Sequence, residues 1–208
     1  FDVFWDGFME KVVQKMGNKA GKTFKFVEID SFEQGIQNWT QDILKEFKKR
    51  RGYDPAPYLP ALAGIIVENR DITERFLWDY RRTISDLLVE NYDQYMAEKL
   101  EAYGINFVLE SYHAQADNLA RGGRADIPMG EFWSRQTEPS GRAWYRNQFK
   151  RCDTVRQAAT AAHIYGKKFV QAEAYTTMGP NWEKDPYMLK DIGDLAFCQG
   201  LNRNMLCF

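Results

Sequence analysis

Several features that mark common protein classes are absent from this 208-residue sequence, or nearly so. It has only three cysteines, Cys152, Cys198 and Cys207, which form neither a Cys-x-x-Cys pair nor a set with metal-ligand spacing. Their odd number and wide separation argue against a disulfide framework. No apolar run approaches the roughly 20 residues of a membrane-spanning helix. The proportions of hydrophobic (44%) and charged (27%) residues are ordinary for a globular protein.

An excess of charge of either sign is also absent. The 28 Lys and Arg residues nearly balance the 29 Asp and Glu residues, which gives a formal charge of −1 and a pI of about 6.2. Binding to nucleic acid or to anionic membrane surfaces relies on a strong positive field. We therefore expect neither of these partners.

No Gly-x-Gly-x-x-Gly or phosphate-loop pattern follows the first predicted strand, which disfavours a nucleotide-binding doubly wound fold. Aromatic residues, in contrast, are abundant at 15% of the chain. Aromatic rings stack on sugar faces and also fill hydrophobic cores, so their number alone does not separate these two uses.

Four short apolar runs that end in carboxylates are the most informative feature that is present. They span residues 26–33, 106–113, 126–133 and 168–175, and helical patterns lie between most of them. Alternation of strand and helix predicts parallel strands joined by crossover helices. Because catalytic side chains of α/β barrels come from several strand ends at one mouth, we predict an α/β fold, a partial (β/α)8 barrel of the TIM type.

The intervening segments complete this prediction. Helical periodicity is found over residues 5–16, 41–51, 72–103, 153–165 and 186–198. The proline-rich segment 54–60 is predicted to be extended. Segment 114–124 is predicted to be a connection with a turn at Gly122 and Gly123.

Five predicted strands do not close an eight-stranded barrel. The chain begins at Phe1 without Met, and residues 204–208 resemble the start of a further strand. We therefore expect residues 1–208 to be part of a single catalytic barrel domain, roughly its C-terminal half, with three strands upstream. A half barrel exposes unpaired strand edges, so we expect this polypeptide alone to be inactive.

Carboxylates near the strand ends are the candidate catalytic groups. Asp30 ends the first strand and Glu33 lies one turn further on, whereas Glu110, Glu131 and Glu173 belong to the next three strand ends. Hydrolysis of a glycosidic bond requires one carboxyl group as acid and one as base. Each carboxylate alone has an alternative role in a salt bridge or, for Asp30, as a helix cap. Their repetition at four strand ends favours the catalytic interpretation.

Neighbouring residues are candidates for binding a sugar. Glu110 and His113 are placed to contact hydroxyl groups, although a single histidine is more often structural, and Tyr112 lies between them. Trp133 offers a ring face for a pyranose. Tyr175 closes the fourth apolar run and is the remaining candidate.

Six longer stretches carry a resemblance to a known family: DSFEQGIQNWT (30–40), KRRGYDPAPYLPALAG (49–64), LWDYRRTISDLLVEN (77–91), ADIPMGEFW (125–133), RQAATAAHIYGKKFVQAEAYT (156–176) and LAFCQGLNR (195–203). They resemble glycoside hydrolase family 106, the α-L-rhamnosidases, in order along nearly the whole chain. The resemblance implies an inverting exo-hydrolase that removes terminal α-L-rhamnose from glycans or glycosides, with acid and base about 6.5–9.5 Å apart. It also implies a role in polysaccharide degradation and export from the cytoplasm.

By motif, the resemblance implies that Glu33 is the general acid and Glu173 the base. Glu131 is the rival for the second role, and Asp30 is a supporting candidate. The family is also associated with calcium near the active site, for which such carboxylates are suitable hard ligands. The segment 134–153 is longer than the family pattern and leaves the substrate preference open.

Two other functions fit the same strand-end carboxylates. One is a barrel glycosidase for another sugar, such as a β-galactosidase relative, which would not share the DYRRT, GEFW and AHIYGK segments as a set. The other is a carbohydrate-binding barrel without catalysis, which would not need Glu33, Glu131 and Glu173 together.

Overall fold

The computed structural model describes residues 2–134, 152–177 and 184–206. In these residues, five strands form one sheet whose spatial order follows the chain. The strands are β1 (Phe26–Ile29), β2 (Asn106–Glu110), β3 (Ile127–Trp133), β4 (Gln171–Thr176) and β5 (Arg203–Leu206). All neighbouring strands are parallel, which confirms the predicted α/β architecture.

Helices lie before β1 and in the connections between the strands. Those that precede β2 are α1 (Asp2–Phe4), a π-helical segment (Trp5–Met9), α2 (Glu10–Met16), a short 3-10 turn (Gly17–Lys19), α3 (Ile43–Arg51), a 3-10 helix (Ala56–Ala63), α4 (Arg70–Leu88), a second π-helical segment (Val89–Gln94) and α5 (Tyr95–Glu101). Those that follow β2 are α6 (Asn118–Arg124), α7 (Asp153–Ile164) and α8 (Pro186–Cys198). Among the described helices, none combines the length and apolar character needed to cross a lipid bilayer.

Local sequence signals set several helix ends. The side chains of Asn69, Asp117 and Asp185 each accept a hydrogen bond from a backbone N–H in the first turn of α4, α6 and α8, the usual role of an N-cap. Pro186 follows its cap at the first helical position, where the missing N–H costs nothing. Gly52 ends α3 in the left-handed conformation (φ 84°) that glycine adopts without strain.

The proline-rich segment is not extended, as predicted, but enters the 3-10 helix Ala56–Ala63. Pro55 precedes this helix with φ −76° and ψ −17°. The ring of proline fixes φ close to a helical value, so proline suits the first turn of a helix even though it disrupts the interior. The extended prediction was wrong because it gave too little weight to this exception.

Segment 114–124 is also more regular than predicted, because it contains α6. Gly122 and Gly123 do not form a turn but lie inside this helix, where it packs on α7. A Cβ atom at Gly122 would lie 2.8 Å from the Ala161 Cβ, and one at Gly123 would lie 2.5 Å from the Tyr165 ring. Both glycines therefore allow close contact between two helices.

The long helix predicted over residues 72–103 is interrupted by its π-helical segment Val89–Gln94. Asp93 in this segment is fully buried and receives two hydrogen bonds from Arg121, at 2.8 and 2.9 Å. The Arg121 guanidinium also donates to the Ser111 carbonyl at 3.0 Å. A buried ion pair therefore fixes the backbone that follows β2.

The two faces of the sheet differ in chemistry. The strand register aligns Glu28 with Val108, Glu110 with Met129, and Glu131 with Glu173, and side chains alternate between faces along each strand. These residues therefore share one face, which we call the inner face. The opposite face contributes to two apolar clusters with the surrounding helices, through Phe107, Leu109, Phe132, Ala172 and Ala174.

The sheet curves strongly toward the inner face. In a flat sheet, β1 and β4 would lie about 14 Å apart and β1 and β5 about 19 Å apart. Carboxylate oxygens of Asp30 and Glu173 nevertheless lie within 4.8 Å of each other. At the other end of the strands, the Arg203 guanidinium lies 4.6 Å from the centre of the Phe26 ring. The inner face is thus the concave interior of a partial barrel.

Packing of α7 on the sheet yields a first prediction. A Cβ atom at Gly130, in β3, would lie 2.5 Å from the Thr154 carbonyl carbon and 2.6 Å from the Val155 nitrogen. These are backbone atoms that cannot rotate away, so Gly130→Ala is expected to lower the free energy of unfolding by about 1–3 kcal/mol. Chemical denaturation of the full-length protein measures the change.

Gly7→Ala is the matched control for this prediction. A Cβ atom at Gly7 meets no other atom within 4 Å, and alanine is favoured over glycine within helices by up to about 1 kcal/mol. The control is therefore expected to unfold at the same denaturant concentration as the wild type or a higher one. Equal stability of the two variants would contradict the close β3–α7 contact.

Candidate active site

Five carboxyl side chains meet on the inner face: Glu28, Asp30, Glu110, Glu131 and Glu173. We call them the carboxylate group. Asp30, Glu110 and Glu173 each place an oxygen within 4.8 Å of the other two. Between the described residues, no salt bridge involves any of the five. Their mutual repulsion must therefore be relieved by protons, hydrogen-bond donors or a bound cation.

Glu110 is the most deeply buried member of the carboxylate group and has no exposed surface. Its Oε2 accepts hydrogen bonds from the Ser31 backbone N–H (3.1 Å) and from the Tyr112 hydroxyl, whereas its Oε1 accepts none from the described residues. Burial, followed by its hydrogen bond with Asp30, raises the pKa of Glu110 to about 9, although the Tyr112 hydrogen bond acts in the opposite direction. Protonated Glu110 can donate this hydrogen bond to Asp30.

Two further members of the group also hold protons more tightly than isolated carboxyls. Burial, followed by the nearby charges of Asp30 and Glu173, raises the pKa of Glu28 to about 7. Burial likewise raises the pKa of Glu131, and a hydrogen bond from the Trp133 indole opposes this shift. Perturbed carboxyls gathered at strand ends are typical of functional sites.

Glu131 is held through both its side chain and its backbone. The Trp133 indole N–H donates to Glu131 Oε2 at 2.8 Å. The Glu131 N–H donates to the Thr154 hydroxyl at 2.9 Å, and this hydroxyl donates to the Glu131 carbonyl at 2.7 Å. The first turn of α7 therefore fixes the strand beside Glu131. Trp133, predicted as a sugar platform, uses its indole N–H to orient a carboxylate.

Glu173 is held by Thr176, whose hydroxyl donates to Glu173 Oε1. Tyr175 lies between Ala174 and Thr176 in a left-handed conformation, with φ 64°. Its ring packs edge-on against Phe132, with centroids 4.8 Å apart, in the apolar cluster on the helix side of the sheet. The structure therefore does not bring Tyr175, predicted to bind substrate, into the carboxylate group.

The remaining predicted residues lie around this group. His113 follows β2 with φ 64° and contacts the Tyr112 ring, with centroids 4.8 Å apart, and its proximity lowers the pKa of Glu131. Positive φ at a residue other than glycine is found mostly where surrounding structure enforces it, often at functional sites. Glu33 is exposed in the loop after β1, and the Ser31 hydroxyl donates to its Oε1 at 3.3 Å.

Sequence reasoning missed Glu28, Thr154 and Thr176. Glu28 lies two residues before Asp30, and the alternation of side chains along β1 was sufficient to place both on one face. Thr154 belongs to α7 and Thr176 follows a strand irregularity, so neither position was apparent from strand periodicity.

The chain is similar to known proteins in both sequence and structure. A sequence model of the Glyco_hydro_106 family, described as alpha-L-rhamnosidase, matches residues 2–207. A rhamnosidase structure from Novosphingobium sp. PP1Y is similar to 97% of the chain, with a TM-score of 0.82 and 32% identity. A protein from Formosa agariphila named "Putative beta-glucuronidase" is 39% identical over 202 residues, or 97% of the chain.

Both relatives are much longer than this chain. The chain spans 16% of the Formosa protein and 19% of the Novosphingobium structure. The family match, in contrast, extends over nearly every residue of the sequence. The chain therefore belongs to glycoside hydrolase family 106, the family of the α-L-rhamnosidases.

Proposed function

We propose that this chain forms part of the catalytic barrel domain of a glycoside hydrolase that releases terminal α-L-rhamnose with inversion. The observation that carries the proposal is the carboxylate group at the carboxyl ends of adjacent parallel strands. Membership of the family and the likeness to a rhamnosidase structure support the choice of sugar. Rhamnose-containing glycans or glycosides are the proposed substrates.

In the proposed mechanism, Glu173 is the base that activates water and Glu33 is the acid that protonates the leaving oxygen. Thr176 fixes one oxygen of Glu173, whereas Glu33 lies in the loop above the strand ends. Inversion requires room for both water and sugar between the two carboxyls. The proposed base lies on a strand and the proposed acid on a loop, so the two groups come from separate parts of the fold.

Glu131 is the second candidate for the base. It is the register partner of Glu173 on the neighbouring strand, and Trp133 fixes its side chain. In either case, we propose that Asp30 and Glu110 support the reacting groups electrostatically and that Tyr112, His113 and Trp133 border the sugar.

A calcium ion fits the deepest part of the carboxylate group. Asp30, Glu110 and Glu173 offer only oxygen atoms, which calcium prefers, and the buried Oε1 of Glu110 lacks a donor among the described residues. We propose that Asp30 and Glu110 hold the ion, and that Glu173 is a third ligand where Glu131 is the base. When bound, it would neutralise their charge and attract sugar hydroxyls.

Substitution of the proposed acid and base tests the catalytic assignment. Glu33→Gln and Glu173→Gln are each expected to lower kcat on p-nitrophenyl α-L-rhamnoside by at least about 100-fold, because general acid–base catalysis contributes about 10²–10⁴-fold. The measurement uses the full-length protein and a panel that includes p-nitrophenyl β-D-glucuronide and β-D-galactoside. Glu131→Gln, assayed in parallel, separates the two candidate bases.

Controls for this assay separate the alternative functions. Cleavage of another glycoside instead of the rhamnoside would reject the proposed sugar, and cleavage of none would favour a carbohydrate-binding barrel. The isolated 208-residue polypeptide is expected to be inactive, since the relatives are several times longer. Measurable turnover by this polypeptide would contradict that expectation.

Glu110 makes stability depend on pH. Its pKa in the folded protein is about 9, above its ordinary value of 4.5, so the folded state binds the proton more tightly. The stability that protonated Glu110 contributes to the folded state is fully present below pH 4.5 and is lost as the pH rises toward 9. Glu110→Gln is therefore expected to raise the melting temperature at pH 8 relative to the wild type, measured with a chelator present.

Glu28→Gln is the matched control for the pH experiment. The pKa of Glu28 is raised only to about 7, so this substitution should reduce the pH dependence between pH 4.5 and 7, where Glu110 also contributes, and should leave the slope above pH 7 unchanged. A wild-type melting temperature that is constant from pH 5 to 9 would show that Glu110 is not protonated in the folded protein.

Calcium binding is tested without any substrate. Calcium is expected to raise the melting temperature of the wild type, because ligands that bind the folded state stabilise it. The increase should grow from pH 6 to pH 8, since the ion must displace the proton of Glu110. Glu110→Gln should reduce the increase, whereas Gly7→Ala should keep it. No increase at saturating calcium would reject the ion site.

A further inference from the structure

Tyr175 interrupts the regular pairing of β3 with β4. Phe132 pairs with Ala174, but the next residue, Trp133, pairs with Thr176. Tyr175 is thus an extra residue in β4, and it adopts the positive φ described above. An inserted residue of this kind is a β-bulge, which re-aims the side chains that follow it.

The bulge reverses which residues reach the inner face. Regular alternation from Glu173 would place Tyr175 on the inner face and Thr176 on the helix side. In the structure, Tyr175 packs on the helix side against Phe132. The Thr176 hydroxyl reaches Glu173 instead.

The neighbouring strands show what this change accomplishes. Glu110 accepts a hydrogen bond from Tyr112, and Glu131 accepts one from Trp133. In both cases the donor lies two residues after the carboxylate, inside β3 for Trp133 and just beyond the end of β2 for Tyr112. In β4, the residue two positions after Glu173 is Tyr175. The bulge turns Tyr175 to the helix side, and Thr176 becomes the donor to Glu173.

Two contacts hold the bulge in this form. Gly193 of α8 leaves space for the Tyr175 side chain, because a Cβ atom there would lie 2.4 Å from the Tyr175 hydroxyl oxygen and 3.2 Å from Cζ. The backbone N–H of Ser134 donates to the Thr176 carbonyl at 2.9 Å, and the Ser134 hydroxyl does so at 3.3 Å. The end of β4 is therefore held by the residue that follows β3 and is accommodated by α8.

We propose that Thr176 is a positioning residue for Glu173, and that the Tyr175 bulge, seated against Gly193, places it there. This inference rests on the proposed function, in which Glu173 acts on the substrate. A donor to one carboxylate oxygen restricts rotation of the side chain and leaves the other oxygen to face the reacting atoms. Precise placement of a reacting group accounts for large factors in rate.

Thr176→Val removes the hydroxyl and keeps the shape of the side chain. Its kcat on the glycoside that the wild type cleaves best is expected to fall about 10- to 100-fold, with KM within about twofold, since Thr176 is not proposed to bind the sugar. Thr176→Ser keeps the donor and is expected to retain most of the wild-type kcat. Equal loss in both variants, or no loss in Thr176→Val, would overturn the proposal.

The bulge itself is tested by a double substitution. Gly193→Ala is expected to displace Tyr175 and to lower kcat as Thr176→Val does. Tyr175→Phe removes the oxygen atom with the shortest contact, so adding it to Gly193→Ala should restore much of kcat. An unrestored double variant would mean that Gly193 acts by another route and would overturn this part of the proposal.

Glu173→Gln, included in the same series, separates this inference from the proposed function. Loss of activity in Glu173→Gln with full activity in Thr176→Val rejects the positioning role and leaves the catalytic role of Glu173 intact. Full activity in Glu173→Gln rejects the catalytic assignment and, with it, the positioning role derived from it.

Discussion

Repulsion among carboxylates on a concave surface is the constraint under which the whole site is arranged. Curvature of the sheet brings Asp30 and Glu173, from strands that are not neighbours, within 4.8 Å. Among the described residues, no lysine or arginine side chain forms a salt bridge with these carboxylates. Their repulsion is instead relieved by retained protons, which the raised pKa values indicate, and by hydrogen-bond donors. The same conditions, closely spaced oxygens and retained protons, are those that acid–base chemistry or a hard cation requires.

The donors follow a simple pattern that links sequence to site. Tyr112 and Trp133 each serve the carboxylate two residues earlier in the chain, and Thr176 takes the equivalent place after a bulge. In β3 and β4 the strand therefore supplies both a carboxylate and the group that orients it, and for Glu110 of β2 the residue just beyond the strand does so. On the helix side of the sheet, Gly130 of β3 permits close contact with α7, and Gly193 of α8 permits close contact with Tyr175.

Sequence patterns predicted the parallel strands, most helices and four of the five carboxylates that meet, because strand ends in such folds converge regardless of loop details. They did not place Tyr175 on the helix side, since a bulge changes alternation without a clear local signal. They also missed the helical path after Pro55. Glu28 was overlooked although its spacing from Asp30 was sufficient to identify it. The distance from Glu33 to the other carboxylates depends on loop geometry, which periodicity does not encode.

The stereochemistry of the first product tests the central claim most directly. Proton NMR of the full-length protein acting on p-nitrophenyl α-L-rhamnoside, recorded before mutarotation, identifies the anomer that is released. An inverting acid and base, with water entering opposite the leaving group, predict β-L-rhamnose as the initial product. Initial release of α-L-rhamnose would mean that a carboxylate attacks the sugar directly and would contradict the mechanism proposed for Glu33 and Glu173.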